Sequence, residues 1–131
     1  MTGLDTNVLV RFFAQDDPIQ TPKARAVLSS LTPAEPGWVG IATILELVWV
    51  LTSSMRLGRD AAAQIVADLM TRETIVVERA ETVARALQRY RRGRADFADC
   101  LIATSAKAAG CSRTVTFDRI AARDAGMELI E

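Results

Sequence analysis

The segment that most constrains the fold is Ile41-Ala42-Thr43-Ile44-Leu45-Glu46-Leu47-Val48-Trp49-Val50-Leu51, an apolar run with a single charge, at Glu46. An ionised carboxylate rarely stays inside a core without a cation or hydrogen-bond donors, because the loss of its hydration costs several kcal/mol. The nearest basic residue along the chain is Arg56, ten positions away. We therefore expect the partner of Glu46 to come from another segment of the fold or from solution.

Short strand-like runs alternate with helical periodicities on both sides of this segment. Strands are predicted at 38–41, 74–77, 114–117 and 127–130, and the opening residues 3–7 form a further extended stretch. Apolar residues at helical spacing predict helices within 8–13, 24–31, 41–57, 60–70, 83–90, 97–106 and 118–125. Asp60 is expected to cap its helix, and residues 89–94 are expected to form a basic connection. This alternation implies an α/β fold whose parallel sheet is covered on both faces. Without a linker or repeat, residues 1–131 are predicted to form one domain.

The composition excludes several classes of protein. The 131 residues are 50% hydrophobic, and sixteen basic residues balance sixteen acidic ones, so net charge gives no indication of a polyanionic partner. The absence of histidine excludes Ser-His-Asp and Cys-His catalysis and His-ligated zinc. Cys100 and Cys111 lack metal-binding spacing and are expected to be reduced thiols. With neither an export signal nor an apolar run of about 20 residues, we expect a soluble cytoplasmic protein without membrane contact.

Acidic side chains stand where predicted strands run into helices. Asp5 and Asp118 follow predicted strands directly, Asp96 and Asp99 share one helix face, and Glu46 lies about one turn into its helix. Working sites of parallel sheets lie beyond the carboxyl ends of the strands, so these segments are expected to form one acidic pocket. Carboxylates without His or Cys suit Mg²⁺ or Mn²⁺, which assist hydrolysis of phosphate esters.

Simpler roles are available to each acid taken alone. Asp5, Asp96 and Asp118 are good helix caps, stabilised by the helix dipole. Asp99 is compatible with a solvated helix position, although its neighbours are largely apolar. Glu46 is compatible with an ion pair to a buried arginine. The joint pattern favours the metal site over these separate explanations.

Four motifs occur in a characteristic order. They are Leu4-Asp5-Thr6-Asn7-Val8-Leu9, then Glu46-Leu47, then Asp96-Phe97-Ala98-Asp99-Cys100-Leu101-Ile102-Ala103, then Thr116-Phe117-Asp118. Together with the closing Gly126-Met127-Glu128-Leu129, they closely resemble the PIN-domain nucleases, and in particular the VapC-like ribonuclease toxins of prokaryotic toxin–antitoxin modules. The resemblance runs over essentially the whole chain. Cys100, where alanine is more usual, is a mild departure that leaves the acids intact.

The resemblance implies a three-layer α/β/α sandwich with a central parallel sheet, and Mg²⁺- or Mn²⁺-dependent cleavage of RNA. By position, the catalytic acids would be Asp5, Glu46, Asp99 and Asp118. Asp5 and Asp99 would bind the metal directly, and Asp118 directly or through water. Glu46 would hold a metal-bound water or orient the nucleophile. The residues expected to support these acids by hydrogen bonding are Thr6, Asn7, Asp96 and Thr116.

Arginines cluster immediately before the Asp96/Asp99 helix. Four of them, Arg89, Arg91, Arg92 and Arg94, fall within six residues, and we expect them to contact RNA phosphates while Tyr90 stacks on a base. Arg11 and Arg119, close in sequence to the acids, are comparable candidates. The alternative is a solvated helix end whose cations favour the dipole.

The apolar residues in and beside the Glu46 helix suggest that a protein partner binds there. Trp38, Trp49, Leu51 and Met55 leave this helix with little polar surface, which is consistent with core packing, a homodimer or an antitoxin groove. The resemblance favours both a symmetric dimer and a cognate antitoxin that occludes the acidic pocket, with DNA bound only indirectly through that antitoxin.

Three other functions are compatible with parts of this pattern. A Mg²⁺ phosphatase lacks its DxD motif, because position 7 is Asn. A non-catalytic PIN-like module that binds RNA or protein is the alternative from another class, although such proteins typically lose one or more of the acids. A PIN nuclease of RNA processing outside a toxin–antitoxin pair is the third.

Overall fold

Three short parallel strands organise residues 1–78, the first of two units into which the chain divides. In the computed structural model, which describes all of residues 1–131, these strands are β1 (Thr2–Gly3), β2 (Gly37–Val39) and β3 (Ile75–Val77). They pair in the order β1-β2-β3, with Trp38 in register with Gly3 on one side and Val76 on the other. One face of this sheet is buried through Val39 and Val77, whereas Trp38 and Val76 on the other face remain exposed.

Four helices complete the first unit. They are α1 (Thr6–Ala14), α2 (Gln20–Ser30), α3 (Ile41–Trp49) and α4 (Arg59–Met70), and α3 continues into a π-helical turn at Val50–Ser54. Helix α1 packs on α2 and α3, and α4 packs on α3 and β3. These contacts leave five side chains fully buried: Leu9, Ile44, Leu47, Val66 and Leu69. Burial of such side chains contributes about 1.5–3 kcal/mol each, so this apolar face fixes the helices on one another.

The second unit, residues 79–131, is built on a helix pair. Its elements are α5 (Ala80–Arg92), α6 (Phe97–Ala108), β4 (Val115–Thr116), α7 (Arg119–Asp124) and β5 (Glu128–Leu129). Helices α5 and α6 form its main contact, and the Tyr90 and Phe97 rings meet edge to face at 5.7 Å. Strands β4 and β5 pair in parallel, with Val115 opposite Glu128. The core of this unit is therefore mainly helical.

The predicted α/β class with parallel strands is confirmed, and the strands are distributed over a three-stranded and a two-stranded sheet. Several local predictions were wrong. Helix α1 begins at Thr6, so the extended stretch ends before it. Tyr90, expected to stack on an RNA base, is only 3% exposed and packs on Phe97. Residues 89–92 belong to α5 and do not form a connection, and Asp60 lies in the first turn of α4, whose cap is Gly58. The organisation of residues 1–131 as one domain stays a prediction. None of the helices has the length and apolar character that crossing a bilayer requires.

Gly37 provides a test of the packing of the first unit. A Cβ atom there would lie 2.8 Å from Leu4 Cδ1 and 2.9 Å from Leu31 Cδ1. We expect Gly37→Ala to lower the free energy of unfolding by about 1–3 kcal/mol, because the added methyl overpacks a filled space. Gly3→Ala, in the neighbouring strand, is the matched control because a Cβ atom there meets nothing within 4 Å. Urea unfolding of both variants measures the difference, and equal midpoints would contradict the packing described here.

Candidate functional site

Asp5 is held at the start of α1 by the helix itself. Its Oδ1 accepts a hydrogen bond of 2.9 Å from the backbone N–H of Thr6, one of the amide groups that has no partner within the helix. The carboxylate is exposed and its Oδ2 makes no hydrogen bond within the protein. Of the predicted supporting residues, Thr6 is buried and contributes its backbone, whereas the Asn7 side chain is exposed.

Glu46 does not lie in the core, contrary to the expectation from its apolar neighbours. It is exposed, between Ile44 and Leu47, which are fully buried. Ala42, Glu46 and Trp49 are all exposed and follow one another at helical spacing, so they form a solvent-facing stripe on α3. Glu46 forms neither an ion pair nor a hydrogen bond, and therefore needs no compensating cation inside the protein.

A carboxylate that sequence reasoning missed, Glu78, lies directly after β3. Its Oε1 accepts a hydrogen bond of 2.8 Å from the backbone N–H of Ile41, the first residue of α3. The cap residue of that helix is Gly40, which has no side chain to satisfy the free amides, so Glu78 supplies the missing acceptor. The signal was present in the sequence, since Glu78 follows a β-branched strand as Asp118 does.

Asp96 and Asp99 begin α6 together. Asp96 is the cap residue, and its Oδ1 accepts a hydrogen bond of 2.8 Å from the backbone N–H of Asp99. Asp96 is exposed and Asp99 is partly buried. The capping role considered for Asp96 is therefore present in the structure, and the cap also fixes the backbone that carries Asp99.

Asp118 is held from two directions at the start of α7. Its Oδ1 accepts from the backbone N–H of Ala121 at 2.9 Å, and its own backbone N–H donates to Thr116 Oγ1 at 3.0 Å. Thr116, predicted to support the acids, thus orients Asp118 through the main chain. The exposed Oδ2 of Asp118 makes no hydrogen bond within the protein.

The acidic side chains of the second unit interact electrostatically at Asp99. Desolvation by burial raises the pKa of Asp99 above its ordinary value of 3.8, and the negative charge of Asp96, its hydrogen bond with Asp99, and the charge of Asp118 raise it further. All four causes disfavour the ionised carboxyl, and no lysine or arginine offsets them. The structure thus brings together Asp96, Asp99 and Asp118 in the second unit, while Asp5 and Glu46 belong to the first.

This donor set suits a hard divalent cation. Such ions take carboxylate oxygens, often only one or two from the protein, and a positive charge would relieve the repulsion at Asp99. No three His, Cys, Asp or Glu side chains of the chain form a ready-made metal cluster. The metal ligands and the metal itself therefore stay predictions.

The predicted RNA-contacting arginines have different surroundings. Arg11 hydrogen-bonds Gln20 at 2.8 Å and pairs with Asp16 at 3.3 Å. Arg89, Arg91 and Arg92 occupy the last turn of α5, as the helix-end alternative supposed. The backbone N–H of Arg94 donates to Asp124. These contacts leave RNA binding by the arginines a prediction.

Comparison with known proteins gives the family. The model of the PIN domain matches residues 4–126, nearly the whole chain. The chain belongs to the PIN-domain family. No curated protein matches significantly. Among solved structures, the PIN domain described here is similar to the toxin VapC20 of Mycobacterium tuberculosis, which cleaves the sarcin–ricin loop. That match has 17% identity and a TM-score of 0.47, and it covers 100% of this chain and 99% of the other.

Because the pKa of Asp99 is raised, we expect removal of its charge to stabilise the protein at neutral pH. Because the folded-state pKa is higher than the unfolded-state value, ionisation of Asp99 costs stability as the pH rises through the folded-state pKa. We expect Asp99→Asn to unfold at a higher temperature than the parent at about pH 7, and the difference to disappear as the pH falls below about 4.

Thermal unfolding in EDTA, followed by circular dichroism, measures this difference. Asp68→Asn, an exposed change on α4, is the control and should shift stability by no more than about 0.5 kcal/mol. A destabilised Asp99→Asn at neutral pH would show that the charge of Asp99 is favourable, and the described repulsion would be wrong.

Proposed function

We propose that this PIN domain is a Mg²⁺- or Mn²⁺-dependent endoribonuclease that hydrolyses RNA phosphodiester bonds. The observation that carries the proposal is Asp99, a partly buried carboxyl surrounded by the charges of Asp96 and Asp118 without a compensating cation. A partly buried carboxylate beside like charges is unfavourable unless a cation compensates it, so this arrangement favours a cation from solution. Family membership and the four acidic motifs support the same reaction class.

The carboxylates proposed to hold the ion are Asp5, Asp99 and Asp118. When bound, the ion would lower the pKa of a water molecule and neutralise charge on the phosphate under attack. Glu46 is proposed to accept a proton from the attacking water or to orient it, a role that suits an exposed carboxylate without partners.

The protein contributes rigidity to this arrangement. Asp5 and Asp118 each use one oxygen to cap a helix, which fixes the side chain and leaves the second oxygen available to a ligand. Thr116 holds the backbone of Asp118, and Asp96 holds the backbone of Asp99. Such supporting contacts keep ligands in place before the ion arrives and reduce the entropy lost on binding.

Cleavage of a mixed RNA pool tests the proposal. We expect purified protein to cut RNA with Mg²⁺ or Mn²⁺ and not with EDTA. We expect Asp5→Asn, Glu46→Gln, Asp99→Asn and Asp118→Asn each to lower the rate more than about 100-fold, since even groups that only support metal ligands contribute about 10–100-fold. Asp68→Asn, an acid on α4 outside the motifs, should cut at the parental rate.

Two results would contradict the nuclease. Equal cutting by Asp99→Asn and the parent would identify a contaminant or a misassigned site. Absence of cutting by a folded parent that still binds RNA or a protein would favour the non-catalytic module.

Metal binding has a readout that does not depend on catalysis. We expect Mg²⁺ at about 100 times its dissociation constant to stabilise the folded parent by about 2.7 kcal/mol, measured as a rise in unfolding temperature. Asp99→Asn should show little or no rise, while Asp68→Asn should respond like the parent. A rise of equal size in Asp99→Asn would place the ion elsewhere in the chain.

We further propose that the domain is the toxin of a toxin–antitoxin pair, with RNA as substrate and a cognate antitoxin and a second copy of the chain as protein partners. In the first unit, Trp49 is 62% exposed beside Glu46 on α3, so a partner that covered this stripe would bury both an apolar anchor and a proposed catalytic acid. DNA would be bound only through the antitoxin. A neighbouring small reading frame that encodes a DNA-binding protein would favour this role over RNA processing.

A further inference from the structure

The second unit contains a cavity of about 900 Å³ whose lining is strongly basic. Its walls come from the second halves of α5 and α6, from residues 111–114 and from the end of α7. The lining cations are Arg85, Arg89, Arg92, Lys107, Arg113 and Arg123, and the only lining carboxylate is Asp124. In a chain with no net charge, this is a pronounced concentration of positive charge.

Most of this charge is not neutralised by the protein. Arg123 Nε pairs with Asp124 at 2.9 Å and Arg113 pairs with Glu128 at 2.7 Å. Asp124 also accepts a hydrogen bond of 2.7 Å from the backbone N–H of Arg94. The remaining four cations, Arg85, Arg89, Arg92 and Lys107, form no ion pair. All four are exposed, so they are available to a bound anion.

Arg89 is positioned by the backbone at the edge of this cavity. Its guanidinium lies against Gly126, where a Cβ atom would be only 2.7 Å from Arg89 Nη1. Gly126 also has φ +76°, a conformation that other residues rarely adopt. Glycine at 126 therefore both allows the turn after α7 and makes room for a cation in the cavity wall.

We infer that this cavity, which we call the basic cavity, binds phosphate groups of an RNA strand. Guanidinium groups bind phosphates through paired hydrogen bonds. The six lining cations come from four segments, which suits several linked phosphates better than one. The lining contains no aromatic side chain, so contact would be to the backbone and independent of base sequence. The inference rests on the proposed nuclease function and adds a substrate-holding surface to it.

Helix α6 connects the basic cavity to the acidic residues. Asp99 is in its first turn and Lys107 in its last turn, eight residues away, which corresponds to about 12 Å along the axis. A strand of a few nucleotides covers this distance, so phosphates in the basic cavity can anchor RNA while another part of the strand reaches Asp96 and Asp99. Of the sequence-predicted arginines, Arg89 and Arg92 line the cavity, and Arg91 and Arg94 do not.

Binding of RNA without cleavage tests the inference. A fluorescently labelled single-stranded RNA of mixed sequence is titrated with the parent protein in EDTA, at several salt concentrations. We expect the double variant Arg85→Gln/Lys107→Gln to bind RNA roughly tenfold or more weakly at about 0.1 M salt. The slope of log binding constant against log salt concentration should become smaller by about 1.4, the value for two lost phosphate contacts on a single strand. Lys23→Gln/Arg56→Gln, two exposed cations of the first unit, is the matched control and should bind like the parent.

The outcomes separate this inference from the proposed nuclease. Parental affinity and salt slope in a folded Arg85→Gln/Lys107→Gln variant would overturn the basic cavity as an RNA site. Polyglutamate, a model of an acidic protein segment, is titrated in the same way. If the variant loses binding to polyglutamate but not to RNA, the cavity binds an acidic protein segment and the inference is overturned. If binding depends on the cavity while the parent never cuts RNA with Mg²⁺, the binding site stands and the nuclease fails.

Discussion

Backbone amides at helix starts impose the constraint on which the acidic residues depend. The first turn of a helix leaves N–H groups without partners, and here most helices satisfy them with a carboxylate. The carboxylates that do so are Asp5 for α1, Asp17 for α2, Glu78 for α3, Asp96 for α6 and Asp118 for α7. Because capping is so general in this chain, a capping acid by itself does not mark a catalytic residue.

Asp99 differs from these acids because it does not cap its helix. Asp96 takes the capping position of α6, and Asp99 then adds a second negative charge three residues later, partly buried and within reach of Asp118. The dipole of α6 favours a carboxylate here, but burial and two like charges outweigh it and the pKa rises. A feature that reduces stability without serving the local fold is more readily explained by function than by structure.

Sequence reasoning succeeded where the signal was local. Strand-to-helix alternation and the parallel class were predictable from β-branched runs and helical spacing, and so were the positions of Asp5, Asp96 and Asp118 at helix starts. Glu46 was misjudged because Trp49 makes its stripe look apolar, although the spacing of 42, 46 and 49 defines a solvent-facing surface. The basic cavity was not predictable, since Arg85, Lys107, Arg113 and Arg123 come together only through the packing of α5, α6 and α7.

The separation of charge along α6 has a consequence for a protein with zero net charge. Carboxylates gather at the beginning of this helix, and Lys107 in its last turn lines the basic cavity, so charge in the second unit is locally uneven although it sums to zero over the chain. The electric field of a polyanion acts on such a surface before contact and favours approaches in which the basic cavity faces the phosphates. The rate of productive encounter would then depend on ionic strength, although the protein as a whole is neutral.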